Sequence, residues 1–208
     1  FRQQLLESRQ ALGKRPDLYQ IHSATVESGC LRDARLLDEL VQARSLGRVG
    51  ALGITVSGPS SAATLYAAME AQVAGQAVFD VVHATFNLLD PSSADALRAA
   101  HQQGLGVIVK EIHANGRLTP GNDRASDRGW LSRLGSVARA LGLTLDQLAV
   151  AYVLAQPFVD VALSGAAHPL QLESHLTAAT RSSHLPDLSE FREPTHVYWQ
   201  TRGSLPWS

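Results

Sequence analysis

The sequence predicts an α/β fold in which parallel strands alternate with helices and curve into a barrel wall. Five short strand-like runs are each trailed by a stripe of apolar residues at helical spacing, and the connections between them are brief. The second of these runs is almost continuously apolar, as a parallel strand covered on both faces must be. An open nucleotide-binding sheet would share the alternation. However, no GxGxxG follows the first run and no GxxxxGK[ST] occurs anywhere. With 208 residues, 45% of them hydrophobic, the chain can bury one sizeable core.

The elements follow in order. Leu5 and Leu12 mark a first helix that stops at Gly13, a residue free to adopt the left-handed conformation of a helix end. Phe1 opens directly inside this pattern, with neither cap nor Met before it, so an upstream segment is expected. After Pro16 the first strand covers 18–22, and Gly29 leads to a helix over 36–46 that Gly47 closes. The second strand covers 49–56, and Ser57-Gly58-Pro59-Ser60 turns the chain. Ser60 or Ser61 can cap an alanine-rich helix reaching about 73, and 79–89 reads as the third strand and its exit.

A helix over 94–103 precedes the fourth strand, 106–112. A polar loop over 120–129 then leads to a helix over 131–141. Thr144-Leu-Asp-Gln147 has the form of a capping box for a helix over 145–155, which Pro157 ends. The fifth strand covers 159–163, Ser164-Gly165 follows it, and the final clear helix covers 169–178.

Composition removes several function classes. Lys+Arg (18) and Asp+Glu (19) nearly cancel and the basic residues are scattered, so no electrostatic footprint for nucleic acid or an anionic membrane is present. No apolar run approaches the roughly 18 residues of a spanning helix. Cys30 is the single cysteine, which excludes an intramolecular disulfide and a multi-cysteine zinc site and fits a reducing cytoplasm. A small molecule is the expected partner. His22 ends the first strand, and a polar residue there faces the mouth where a parallel barrel assembles its chemistry.

The landmarks, taken in order, resemble the aldo-keto reductase family of NADPH-dependent carbonyl reductases on a (β/α)8 TIM barrel. Asp17-Leu-Tyr-Gln-Ile-His22 resembles the fourth-strand motif that ends in the active-site histidine. Gly47-Arg-Val-Gly-Ala-Leu-Gly-Ile-Thr55 resembles the fifth strand, and Phe86-Asn-Leu-Leu89 the sixth-strand exit. The stretch from Gly104 through Lys110-Glu-Ile-His-Ala-Asn-Gly-Arg-Leu118 is similar to the seventh strand and its turn. Ser164-Gly-Ala-Ala-His-Pro-Leu-Gln-Leu172 is similar to the eighth-strand loop that holds the adenosine phosphate. The tail from Tyr198 to Trp207 resembles the ending of one reductase subgroup. The resemblance implies a partial barrel, strands four to eight with their helices, with residues 1–208 as the C-terminal part of a single barrel domain.

It also implies NADP(H) as cofactor, NAD(H) as the other option, and a small carbonyl substrate. Of the family's Asp, Tyr, Lys and His tetrad only His22 has a counterpart, since the other three belong before the fourth strand. His22 would orient the carbonyl by hydrogen bonding. Thr55 and His83 stand where the family contacts the nicotinamide carboxamide, with Val56 in place of a polar residue. Lys110 occupies a position often held by a stacking aromatic and could instead pair with Glu111 or meet the pyrophosphate. Glu111, Ile112 and Gly116 belong to the same cofactor-binding stretch. Ser164, Gly165 and Ala166 would offer backbone N–H groups to phosphate. Gln171 and His175 match adenine-side positions. Ala167 replaces an arginine that often grips the 2′-phosphate, with His168 as partial compensation.

Three rival readings stand beside this one. A relative could bind nicotinamide nucleotide as a regulatory subunit without catalysis, since Val56, Lys110 and Ala167 depart from the family pattern. A metal-dependent barrel hydrolase would use His22, His83, His113 and Glu111, but neither HxH nor HExxH spacing is present, so no metal site is expected. Schiff-base chemistry at Lys110 needs a depressed lysine pKa, which the adjacent Glu111 opposes.

Overall fold

The structure, a computed structural model, describes residues 1–180 and 185–205. Five parallel strands carry the fold: β1 (Leu18–Ala24), β2 (Ala51–Val56), β5 (Val81–Thr85), β6 (Gly106–Lys110) and β7 (Val161–Ala162), hydrogen-bonded in the order β1-β2-β5-β6-β7. Eight α-helices lie among the described residues: α1 (Arg2–Leu12), α2 (Ala34–Ser45), α3 (Ser61–Glu70), α4 (Ala94–Gln102), α5 (Arg128–Ala140), α6 (Leu145–Leu154), α7 (Pro169–Ala179) and α8 (Thr195–Ser204). No single helix among these residues is long and apolar enough to cross a membrane. Pro206 and Trp207, part of the tail singled out in the sequence, lie outside the described residues.

The chain forms two compact units, residues 1–84 with 95–107, and residues 85–94 with 108–208. In the first, β2 supplies Leu52, Ile54 and Val56, each at most 1% exposed, and α2 and α3 pack against it. Asp33 caps α2 by accepting the Leu36 N–H. Gly50 makes β1 and β2 meet closely: its N–H donates to the Pro16 carbonyl, and a Cβ there would collide with the Asp17 carbonyl oxygen. Arg44 donates to Asp80 at 2.7 and 2.8 Å and to the carbonyls of Ala77 and Val78, while Asp80 accepts the Leu52 N–H.

In the second unit the core is built from Leu88, Leu89, Leu118, Leu134, Leu148, Phe191 and Tyr198 with their smaller neighbours. Phe86 stacks on Tyr152 and meets Phe158 edge-on. Asn87, fully buried, accepts the N–H groups of Leu89 and Asp90 and donates to the Glu111 carbonyl and the Tyr198 hydroxyl. Burial pushes the Tyr198 phenol well above its ordinary value. Arg117, 3% exposed, lies between two carboxylates, donating to Asp127 at 2.9 and 3.1 Å and to Glu193 at 2.7 and 2.6 Å.

Several boundaries differ from the sequence reading for local reasons. The helix expected to reach residue 73 stops at Glu70, because the strands β3 (Gln72–Val73) and β4 (Gln76–Ala77) form an antiparallel hairpin across Ala74 and Gly75. Both turn residues have positive φ, as a two-residue hairpin loop that follows the strand twist requires. Within 79–89, read as the third strand and its exit, the strand itself covers 81–85, and Asn87 turns the chain through its side chain at the exit. The fourth ends at Lys110 because Glu111 has φ +55. Neither serine caps α3 as expected: Ser61 donates its hydroxyl to the Gly58 carbonyl, and Ser60 makes no side-chain cap. At α6 the expected capping box of Thr144 and Gln147 is present, with the Gln147 side chain accepting the Thr144 N–H, and the Thr144 hydroxyl also meets Asp146 at 2.6 Å.

Candidate functional site

In the first unit, three of the expected residues, His22, Thr55 and His83, lie on the adjacent strands β1, β2 and β5. β1 pairs with β2 through Ile21 with Ile54 and Ala24 with Val56, so that His22 and Ser23 together face the single residue Thr55. This is a β-bulge, uncommon in a parallel pair, and it leaves Ser23 at φ +51. The Thr55 hydroxyl oxygen accepts the Ser23 N–H at 2.9 Å and so holds the bulge. Thr55 is in turn opposite His83 on β5. His22 is exposed, Thr55 buried and His83 half-buried. The strained serine beside an exposed histidine is the kind of local distortion that accumulates where a fold aims a side chain at a ligand.

In the second unit the chain leaving β6 is left-handed at Glu111, Ala114, Asn115 and Gly116. A glycine takes φ +86 at no steric cost, whereas the buried Ala114 at φ +49 does not. The Ala114 N–H donates to the Glu111 carbonyl at 2.8 Å and the Leu118 N–H to the His113 carbonyl at 3.0 Å, which closes the turn. Glu111 pairs with Arg202 of α8 at 2.8 Å. Burial pushes the Lys110 amine below its ordinary value. It outweighs the opposing Glu111 carboxylate, contrary to the expectation drawn from that neighbour.

The loop between β7 and α7 is stitched to itself. Ala166 donates its N–H to the Ser164 hydroxyl, and the Gln171 side-chain oxygen accepts from both Ala167 at 2.9 Å and His168 at 3.1 Å. His168 accepts the Leu170 N–H at Nδ1 as the cap of α7, with Pro169 at its first turn. Gly165, at φ +62, supplies the turn. Of the backbone groups expected to face phosphate, the Ala166 N–H is therefore already engaged.

These two loops and α7 enclose a pocket of about 900 Å³ in the second unit. It brings together Glu111, Ile112, Gly116, Ser164, Gly165, Gln171 and His175; Lys110 and Ala166 do not line it. His113 and His175 stack in its wall with ring centroids 4.4 Å apart. His113 Nε2 and His175 Nδ1 are buried without a hydrogen-bond partner, and His175 Nε2 lies 3.7 Å from Asp146. Burial pushes both imidazoles below the ordinary histidine value, and for His113 the neighbouring ring adds to the effect. Burial also acts to raise the Asp146 carboxyl, but hydrogen bonds from the Thr144 and Ser174 hydroxyls hold it below the ordinary carboxylate value.

Asp146, Ser174, Arg202 and the stacking role of His113 were not singled out in the sequence. Asp146 and Ser174 are 28 residues apart and meet because α6 packs on α7, a contact that no local spacing encodes. Among the described residues, no group of three or more His, Cys, Asp or Glu side chains could hold a metal ion.

The family model described as "Aldo/keto reductase family" matches residues 1–188. No curated protein sequence gives a significant match. Among solved structures, the holo form of an aldo-keto reductase from Bacillus halodurans is similar with a TM-score of 0.65 and 17% identity, covering 96% of this chain and 65% of that one. The apo form of that protein gives a TM-score of 0.71 at 17% identity, covering 97% and 67% respectively. This chain thus spans about two thirds of the length of these structures, and at this identity the likeness shows the fold alone. Through the match over residues 1–188, the chain belongs to the aldo/keto reductase family.

Proposed function

We propose that the protein carrying this chain is an NAD(P)H-dependent oxidoreductase that reduces aldehydes or ketones to alcohols, with these residues as the C-terminal part of a single barrel domain in the cytoplasm. The observation that carries the reading is the pocket of the second unit in a chain of this family. Its volume falls in the range of roughly 300–1,000 Å³ common for small-molecule sites. Two stacked imidazoles, His113 and His175, stand in its wall, which suits a ligand with a heteroaromatic end.

When bound, the nicotinamide supplies the hydride. Glu111, Ile112 and Gly116 line the pocket along the β6 exit, with Lys110 as the strand's last residue. Ser164 and Gly165 lie at the turn for phosphate, with Ala166 stiffening it, and Gln171 and His175 are assigned to the adenine side. Thr55 and His83 are assigned to the carboxamide. His22 orients the substrate carbonyl by a hydrogen bond that strengthens as charge develops on the oxygen.

The test is titration of the full-length protein with NADH and NADPH, followed by absorbance of the reduced nucleotide on addition of a panel of aldehydes and ketones. Nucleotide oxidation, lost in His22→Ala with binding retained, is the expected result. Absence of nucleotide binding overturns the proposal, and binding without turnover of any carbonyl leaves the non-catalytic relative in its place.

A further inference from the structure

We infer that Asn115 is a site of spontaneous chemical modification, where the exposed Asn115-Gly116 turn cyclises to an imide and reopens as aspartate or isoaspartate. The reaction uses only this chain's own backbone and water, so it stands whatever ligand the pocket takes.

The Gly116 backbone nitrogen attacks Cγ of the Asn115 side chain. A bond forms between that nitrogen and Cγ, the Cγ–Nδ2 bond breaks, and Nδ2 leaves as ammonia with the proton given up by the Gly116 amide. Water then opens the cyclic imide. Opening at Cγ gives aspartate, and opening at the backbone carbonyl carbon of residue 115 gives isoaspartate, in which the chain continues through Cγ. The net change exchanges an amide for a carboxylate, consuming water and releasing ammonia, with no oxidant or reductant.

The conditions for this attack meet at Asn115 and at neither of the chain's other asparagines, Asn87 and Asn122. The attacking nitrogen must be unhindered, and Gly116 carries no Cβ, whereas Leu88 and Asp123 follow the other two. The side chain must be untethered. Asn115 is exposed and its side chain makes no hydrogen bond among the described residues. Asn87 is fully buried in the bonds described above, and Asn122 donates to the Arg117 carbonyl and Asp127 and accepts the Arg124 N–H.

The peptide must also be able to swing. The turn is closed around it, from Ala114 to Glu111 and from Leu118 to His113, while among the described residues neither the Asn115 carbonyl nor the Gly116 N–H is hydrogen-bonded. Asn115 stands at φ +54 and Gly116 at φ +86. A residue with a side chain is strained in this left-handed region, so rotation of the Asn115–Gly116 peptide toward attack releases strain and breaks no hydrogen bond.

The position gives the reaction a consequence, because Asn115 lines the pocket of the second unit. Conversion adds a carboxylate to a wall where Glu111 and Asp146 already stand and where Arg202 is paired with Glu111. Isoaspartate also inserts a backbone carbon into the turn that carries His113, the ring stacked on His175. The pocket thus changes in charge and in shape as the chain ages.

The test is incubation of the folded full-length protein in mildly alkaline water enriched in heavy oxygen, which favours loss of the Gly116 amide proton and labels the product. Peptide mass spectrometry locates the label, and a protein isoaspartyl methyltransferase with a labelled methyl donor counts the isoaspartate. Conversion at Asn115 is expected about tenfold or more faster than at Asn87 or Asn122, the scale of the hydrogen bonds those two must break. Asn115→Gln should abolish both signals, since the longer side chain closes a ring far more slowly. The ring-proton resonances of His113 and His175 should move as conversion proceeds. No conversion at Asn115 in the folded protein, whether or not the urea-unfolded chain converts there, overturns the inference, as does equal conversion at Asn87 or Asn122. Conversion with unmoved histidine resonances overturns its effect on the pocket.

Discussion

Replacing Arg117 by Met should unfold the second unit at markedly lower denaturant, because the guanidinium is the common partner of two carboxylates that have little access to water. Its side chain is 3% exposed, that of Asp127 4% and that of Glu193 18%, and four hydrogen bonds of 2.6–3.1 Å join them. The methionine fills the aliphatic volume but leaves Asp127 buried with Asn122 and Ser126 donating to it and the Arg124 guanidinium 3.7 Å away. Breaking a buried pair from one side costs about 3–5 kcal/mol. Glu193 can turn toward solvent and the two remaining donors soften the loss at Asp127, so the lower part of that range, near 3 kcal/mol, is expected. Arg117 also lies over the Trp130 ring at 5.5 Å, so tryptophan emission reports on the same locus. Urea unfolding followed by Trp fluorescence and circular dichroism measures the change. Acidification should shrink it, since protonation relieves the stranded Asp127 carboxyl. A loss below about 1 kcal/mol, the value of an exposed pair, would refute the reasoning that this network is a buried one.

The remaining predictions probe the other contacts. Gly50→Ala drives a methyl into the Asp17 carbonyl and should cost about 1–3 kcal/mol in chemical denaturation, whereas Gly106→Ala, whose Cβ would meet Val81 at an ordinary 3.5 Å, should be nearly silent; equal effects would discard the close approach of β1 and β2 as the cause. Tyr198→Phe removes the hydroxyl that accepts from Asn87 while Asn87 keeps the Glu111 carbonyl, so a loss of about 1 kcal/mol is expected by thermal unfolding. Stability should also fall between about pH 7 and 5. The folded pKa values of His113 and His175 are depressed, so the unfolded chain takes up protons near pH 6.5 that the folded chain refuses, at a slope of up to about 1.4 kcal/mol per pH unit for each ring. The carboxylates held low, Asp127 and Asp146, lose their contribution only below about pH 4. A His113→Gln/His175→Gln double variant should flatten the neutral-range slope, and an unchanged slope would assign it elsewhere.

The strands were legible where burial on both faces leaves a simple signature. The Ala51–Val56 run could be read because every residue from Leu52 on is buried, and His22, two residues before the end of β1, could be placed toward that end because strand direction in a parallel sheet sets which end opens. The hairpin at Gln72–Ala77 could not be read in the same way. Its strands are two residues long and mostly exposed, and its turn begins with an alanine at φ +50 rather than the asparagine or aspartate that marks such turns in a sequence. Arg44, bonded to the Ala77 and Val78 carbonyls from α2, ties down the segment leaving the hairpin, and that partner is 33 residues away in the chain.

The site divides along the same line. Ser164, Gly165, Gln171 and His175 belong to one short segment, so a motif could place them together, and all four do line the pocket. What a motif could not convey is how they are occupied. Gln171, matched to the adenine side, also holds two loop amides with its oxygen, and Ser164, matched to phosphate through its N–H, also accepts within the loop through its hydroxyl. A hydrogen-bonding group has a limited number of partners, and a sequence states the group without stating which partner has already claimed it.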